Sequence, residues 1–144
     1  MDRIKATKGK ILSVDFGDVR TGLAISDATR FLASGIGYIS PGGIEKTADA
    51  VAEIATKEKV SAIIVGLPKN MDGSEGFRAE KCKSFAEELK KATGIETVMY
   101  DERLTTVWAH RTLSENNVRG KKRKDVVDAV SAVVILEGFM ASRK

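Results

Sequence analysis

Two residue types that often build active sites are nearly missing: the 144-residue chain has one cysteine, Cys82, and one histidine, His110. A single cysteine excludes an internal disulfide and a cysteine-rich zinc site. With one histidine as well, any bound metal must be held mainly by oxygen, and a general base is to be sought among other residues. Long apolar runs are missing too. Nothing approaches the roughly 20 apolar residues that cross a bilayer, and the opening MDRIKATKGK lacks the apolar block of a secretory signal, so the expectation is a cytoplasmic protein with no membrane association. There is no internal repeat and no low-complexity tract. The loop GLPKNMDGS is not a Walker A loop, because no Gly-Lys-Ser or Gly-Lys-Thr follows at the required spacing.

What is present suits one soluble globular domain spanning residues 1–144, with 42% hydrophobic and 31% charged residues. The formal net charge of +4 and pI near 9.2 permit a polyanionic partner. Arg119, Lys121, Lys122, Arg123 and Lys124 crowd the segment RGKKRK, which reads either as a phosphate-contacting patch or as the solvated approach to a helix.

Residues Ile11–Phe16 and Val19–Ser26 read as two strands, with Gly17 and Asp18 at a tight reversal, since Val19, Thr21, Leu23 and Ile25 share one parity. A third apolar segment, Ser34–Ile39, is stopped by SPGG. Ile44, Ala48, Val51 and Ala55 predict a helix over Ile44–Glu58. The nearly continuous apolar run Val60–Gly66 predicts a buried, parallel strand. A second helix is expected over Glu75–Ala92, with Phe77, Phe85 and Leu89 inward and Gly94 ending it, then a fifth strand in IETVMY. Further helices are expected over Thr105–Leu113 and Lys124–Met140. The order β-β-β-α-β-α-β-α-α is that of an α/β sandwich, an antiparallel meander of three strands followed by two parallel ones.

The chemistry-bearing candidates are acidic. Asp15 ends the first strand, and Asp101 with Glu102 ends the fifth; if strand one lies mid-sheet and parallel to strands four and five, these groups share one edge. Asp128 interrupts the otherwise apolar helix KDVVDAVSAVVIL, and a buried carboxylate is costly unless paired or coordinated. Asp125, three residues earlier, has a basic flank that favours solvent. Carboxylates converging where histidine and cysteine are scarce suit Mg²⁺ or Mn²⁺. Such ions activate water at a phosphodiester while Arg or Lys positions the backbone. Each acid also has an ordinary explanation: a turn cap for Asp15, an ion pair with Arg103 or Lys91 for Glu102, and the margin of a helix face for Asp128.

In order along the chain, ILSVDFGDVRTGLAISD, IIVGLPKNMDGSEG, YDERLTT and KDVVDAVSAVVILEGF resemble the characteristic segments of the bacterial YqgF/RuvX family, pre-16S rRNA nucleases also described as Holliday-junction resolvase-like proteins. The resemblance runs from about Lys10 to Met140. It implies an RNase H-like fold, a mixed five-stranded sheet with helices on both faces. It also implies that Asp15, Glu102 and Asp128 are the catalytic and metal-binding set for Mg²⁺ or Mn²⁺, with Asp101 a weaker candidate. Asp18, Arg20, Gly22 and Asp27 match the family's hairpin segment and would shape or support the site. Ser131 stands where the family usually has alanine, and ATRFLASGIGYI lacks a proline common among relatives.

Candidate nucleic-acid contacts are Arg20, Lys69, Asn70, Arg103, Arg119, Lys121, Lys122, Arg123 and Lys124. Thr105 and Thr106 suit helix capping; Trp108, His110 and Cys82 suit structural positions. The function implied is a metal-dependent nuclease of ribosome biogenesis that processes the 5′ end of pre-16S rRNA, with structured RNA or a pre-ribosomal particle as partner. The alternatives are a Holliday-junction DNA resolvase and a non-catalytic RNA-binding assembly factor. An actin-like kinase would need two related domains around a cleft, and this chain has room for one. Monomer and dimer are both compatible with the sequence.

Overall fold

Strand β1 (Ile11–Asp15) sits between antiparallel β2 (Thr21–Ser26) and parallel β4 (Ala62–Leu67), and its alternation divides the molecule into two layers. The computed structural model describes residues 8–70, 72–101 and 120–141, and within the last of these the side chains from residue 130 onward. Strand β3 (Ala33–Ile39) pairs antiparallel with β2, and β5 (Glu96–Asp101) pairs parallel with β4, which makes one five-stranded sheet of order β3-β2-β1-β4-β5.

Leu12, Val14 and Phe16 point to the layer formed by α1 (Ile44–Glu58) and α2 (Phe77–Thr93), where they meet Val51, Ala55, Cys82, Phe85 and Leu89. Phe16 stacks on Phe85 with ring centroids 4.6 Å apart. Ile11 points the other way, into a second cluster with Ala132, Ile135, Leu136, Phe139 and Met140 of the last helix, α3 (Gly120–Ala141). Ser13 shares that face: its hydroxyl donates a buried hydrogen bond to the Ala132 carbonyl at 2.8 Å. Strand β4 is buried along its whole length, as its unbroken apolar run requires when helices cover both faces. The three-strand meander, the two parallel strands and the helices on both faces together make the RNase H-like arrangement.

Helix α1 has the bounds its periodicity predicts, and Gly94, at φ 70°, ends the second helix as expected. Three expectations change. Strand β2 starts at Thr21, so residues 16–20 form the connection between β1 and β2, in which Val19 is 75% exposed. Phe77 is 74% exposed at the first position of α2; the inward face is carried by Ala79, Cys82, Phe85 and Leu89. The last helix begins at Gly120, so Lys121, Lys122, Arg123 and Lys124 belong to the helix and do not precede it. The expected helix over Thr105–Leu113 lies outside the described residues. Among the described residues no helix is long and apolar enough to cross a membrane.

Candidate active site

The strand order makes one edge of the sheet special. Because β1, β4 and β5 run parallel, Asp15, Leu67 and Asp101 end on the same side, and the loops leaving β1 and β4 lie beside them. Asp15 is half-buried at the end of the central strand and, by the alternation that aims Ser13 at Ala132, lies on the α3 face. Its backbone pairs with Gly22 of β2, and Val14 just before it pairs with Val65 of β4. In β5, Val98 and Tyr100 pack into the α3 layer, with Tyr100 edge-on to Phe139 at 6.1 Å, whereas Met99 joins the opposite core. Asp101 therefore follows Met99 onto the α1/α2 face, away from Asp15.

The other two members of the acidic set cannot be located in the same way: Glu102 lies outside the described residues, and Asp128 belongs to α3 but its side chain is outside the described part. No group of three metal-ligating side chains occurs among the described residues. The donor chemistry at this edge still fits a hard cation. The chain's only thiol, Cys82, is buried in the opposite layer, and the described candidate at the end of β1 is a carboxylate.

The loop after β1 depends on Gly17, where a Cβ would stand 2.3 Å from the Arg20 carbonyl oxygen. Asp18 pairs with Lys81 of α2 at 3.0 Å, tying that loop to the second layer. The Arg20 guanidinium lies 4.6 Å from the centre of the Tyr38 ring. Of the other candidate nucleic-acid contacts, Lys69 lies 4.0 Å from Glu75, and Asn70 organises its own loop, donating from Nδ2 to Ser74 Oγ at 2.9 Å. Lys83 also bonds Glu75 and, with Lys69, holds that carboxyl below its ordinary value despite some desolvation. Arg103 and Arg119 lie outside the described residues; of Lys121, Lys122, Arg123 and Lys124 only the helical backbone is described.

Asp27 is placed differently from the expectation that it supports the site. Because β2 runs antiparallel to β1, the end of β2 lies beside Ile11, at the opposite edge from Asp15. There Asp27 closes the β2–β3 turn: Oδ1 accepts the N–H groups of Phe31 and Leu32, each at 2.9 Å, and Oδ2 accepts the Thr29 hydroxyl. These bonds, led by that from Thr29, lower its pKa from 3.8 to about 2. Tyr38, Lys81 and Glu75 were not singled out by sequence; they become visible only once the loops are folded onto the Asp15 edge.

A family model described as "RuvX: Holliday junction resolvase" matches residues 9–142. The chain belongs to the RuvX family. This YqgF/RuvX membership is also seen in individual relatives. A "Putative pre-16S rRNA nuclease" of Halothermothrix orenii is 44% identical over 131 residues, covering 91% of this chain and 94% of its own. The protein of the same name from Thermoanaerobacter pseudethanolicus is 40% identical over 136 residues, covering 94% of this chain and 98% of its own. Among solved structures, Thermus thermophilus RuvC in complex with a Holliday junction substrate superposes with a TM-score of 0.60 at 11% identity, over 94% of this RuvX chain and 96% of that one. Fowlpox virus resolvase, in complex with Holliday junction DNA, gives 0.57 at 16% identity, over 93% and 98%. At such identities the likeness is one of fold.

Proposed function

We propose that this chain is a divalent-metal-dependent nuclease that processes the 5′ end of pre-16S rRNA, with Asp15, Glu102 and Asp128 as its catalytic and metal-holding carboxylates. The observation that carries the reading is the position of Asp15, at the end of the central strand and on the face covered by the helix that contains Asp128. Sequence spacing supports the other two. Glu102 directly follows Asp101, the last residue of β5, in sequence and stands in the DER segment that resembles the family's. Asp128 precedes Ala132 by one helical turn, in line with the row Ala132, Ile135, Leu136, Phe139 that packs on the sheet. The names of the full-length relatives support RNA as substrate.

A divalent ion at such a site supplies an activated water and stabilises charge developing on the phosphodiester. The chain's own part is positional. Asp15 pairs with Gly22 of β2 and directly follows Val14, which pairs with Leu23 of β2 and Val65 of β4, so the sheet places its backbone. Arg20 and Lys69, on the two loops beside it, orient the phosphate backbone; Lys69 does so in exchange for its contact with Glu75. The Holliday-junction reading is kept as the second one, favoured by the description of the family model.

The test is a matched assay of precursor 16S rRNA and a four-way DNA junction, with wild type and Asp15→Asn, with and without Mg²⁺ or Mn²⁺. RNA cleavage is expected only with metal, and Asp15→Asn is expected to lower it by about 100-fold or more, since several kcal/mol are at stake and roughly 1.4 kcal/mol is tenfold. Equal RNA processing by both proteins would refute the carboxylate mechanism. Selective cleavage of the DNA junction would favour the resolvase reading.

A further inference from the structure

Strand β3 brings an unassigned side chain to the same row as Asp15. Asp15 pairs with Gly22 across β1 and β2, and Gly22 pairs with Tyr38 across β2 and β3. Directly opposed residues share a face, so Asp15, Gly22 and Tyr38 form one cross-strand row, with Asp15 and Tyr38 two strand spacings, about 10 Å, apart. Gly22 puts no side chain between them.

A β-bulge produces this placement. Leu23 pairs with Gly37 while Ala24 pairs with Gly35, which leaves Ile36 as the extra residue. Ala33 faces the α3 layer. Strict alternation from Ala33 would send position 38 to the opposite face; the extra residue returns it to the Asp15 side. Gly37 accommodates the irregularity at φ 126°. Tyr38 is 38% exposed on an edge strand, and the Arg20 guanidinium covers its ring.

We propose that Arg20 and Tyr38 form a stacking platform for one unpaired base of a nucleic-acid strand whose neighbouring phosphate lies at Asp15. The proposal rests on the nuclease reading of that carboxylate. A planar guanidinium on an aromatic ring offers a flat, sequence-tolerant surface for a base and a positive charge for the adjoining phosphate. The occupant is a single strand, because bases within a duplex are already stacked on one another. The platform is a positioning device and takes no part in bond breaking.

The experiment measures binding of a single-stranded RNA oligonucleotide carrying 2-aminopurine, in the Asp15→Asn background, by anisotropy and by stacking-induced quenching. Tyr38→Val removes the ring while keeping strand propensity, and Tyr38→Trp keeps an aromatic surface. Tyr38→Val is expected to weaken binding about tenfold and to relieve the quenching, with Tyr38→Trp close to the parent. Arg20→Lys, which keeps the charge and loses the plane, is expected to reduce quenching as well. Circular dichroism and thermal midpoints check that each variant is folded.

Unchanged binding and quenching in folded Tyr38→Val would overturn the proposal, as would Tyr38→Trp losing as much as Tyr38→Val. Equal dependence of a blunt RNA duplex on Tyr38 would overturn the single-strand assignment. The two readings fail separately. Metal-dependent RNA cleavage by wild type, with Tyr38→Val binding unchanged, refutes the platform alone. Tyr38-dependent quenching without RNA cleavage supports the platform and refutes the nuclease reading.

Discussion

Asp15 and Asp27 are both strand-end aspartates next to turns, and they do different work because antiparallel pairing puts them at opposite edges of the sheet. Asp27 is engaged with its own turn, and the sign of its effect on stability follows from its lowered pKa. Folding favours the ionised form, so the contribution is fully present above the ordinary value of 3.8 and is lost as the pH falls toward about 2. The melting-temperature deficit of Asp27→Asn should therefore be present near neutral pH and shrink through that window; a deficit constant down to about pH 2 would contradict the assignment. Gly17 sets the loop on the other edge. Gly17→Ala places its methyl against the Arg20 carbonyl and is expected to cost about 1–3 kcal/mol in urea denaturation, because backbone has to move. Its displacement of Arg20 should also weaken RNA binding.

Elements were legible from sequence where burial followed a single period. Ile44, Ala48, Val51 and Ala55 recur at helical spacing, and α1 starts and stops where they predict. Val19 and Phe77 misled for a related reason: Val19 lies just before β2 and Phe77 at the first position of α2, and at neither place does anything pack over the side chain strongly enough to bury it. The bulge at Ile36 was equally hidden, since Gly35 and Gly37 permit an irregularity without specifying its register. The attachment of α3 gives a test at this scale. Ser13→Ala removes the buried hydrogen bond to Ala132 and is expected to cost about 0.5–1.5 kcal/mol in chemical denaturation. A loss below that range would mean that apolar contacts alone hold the helix on the sheet.

At the scale of the whole molecule, the net charge of +4 bears on association more than on fold. If the helical residues Lys121, Lys122, Arg123 and Lys124 all meet phosphates, replacing them with serine should make the log affinity for single-stranded RNA less steeply dependent on log salt, by a slope of about 3. An unchanged slope would assign these four residues to a solvated helix surface. The same measurement on a four-way DNA junction bears on the resolvase alternative, because phosphate contacts alone do not separate the two polyanions.

By itself the sequence determined the donor chemistry and the layer plan. Scarce cysteine and histidine leave oxygen as the main donor this chain can offer a metal, and local periodicity specifies which segments alternate and which coil, since those patterns follow from backbone geometry. Asp15 and Glu102 were legible as candidates because they stand at strand ends, and Asp128 because it interrupts an apolar helix; the resemblance to the family is what set Glu102 ahead of Asp101. Tertiary structure decided edge and face. Antiparallel pairing carried Asp27 away from Asp15, β5 alternation turned Asp101 from the α3 face, and one unpaired residue in β3 brought Tyr38 back to it. These outcomes depend on strand register, and register is set by partners distant in sequence that no local pattern names.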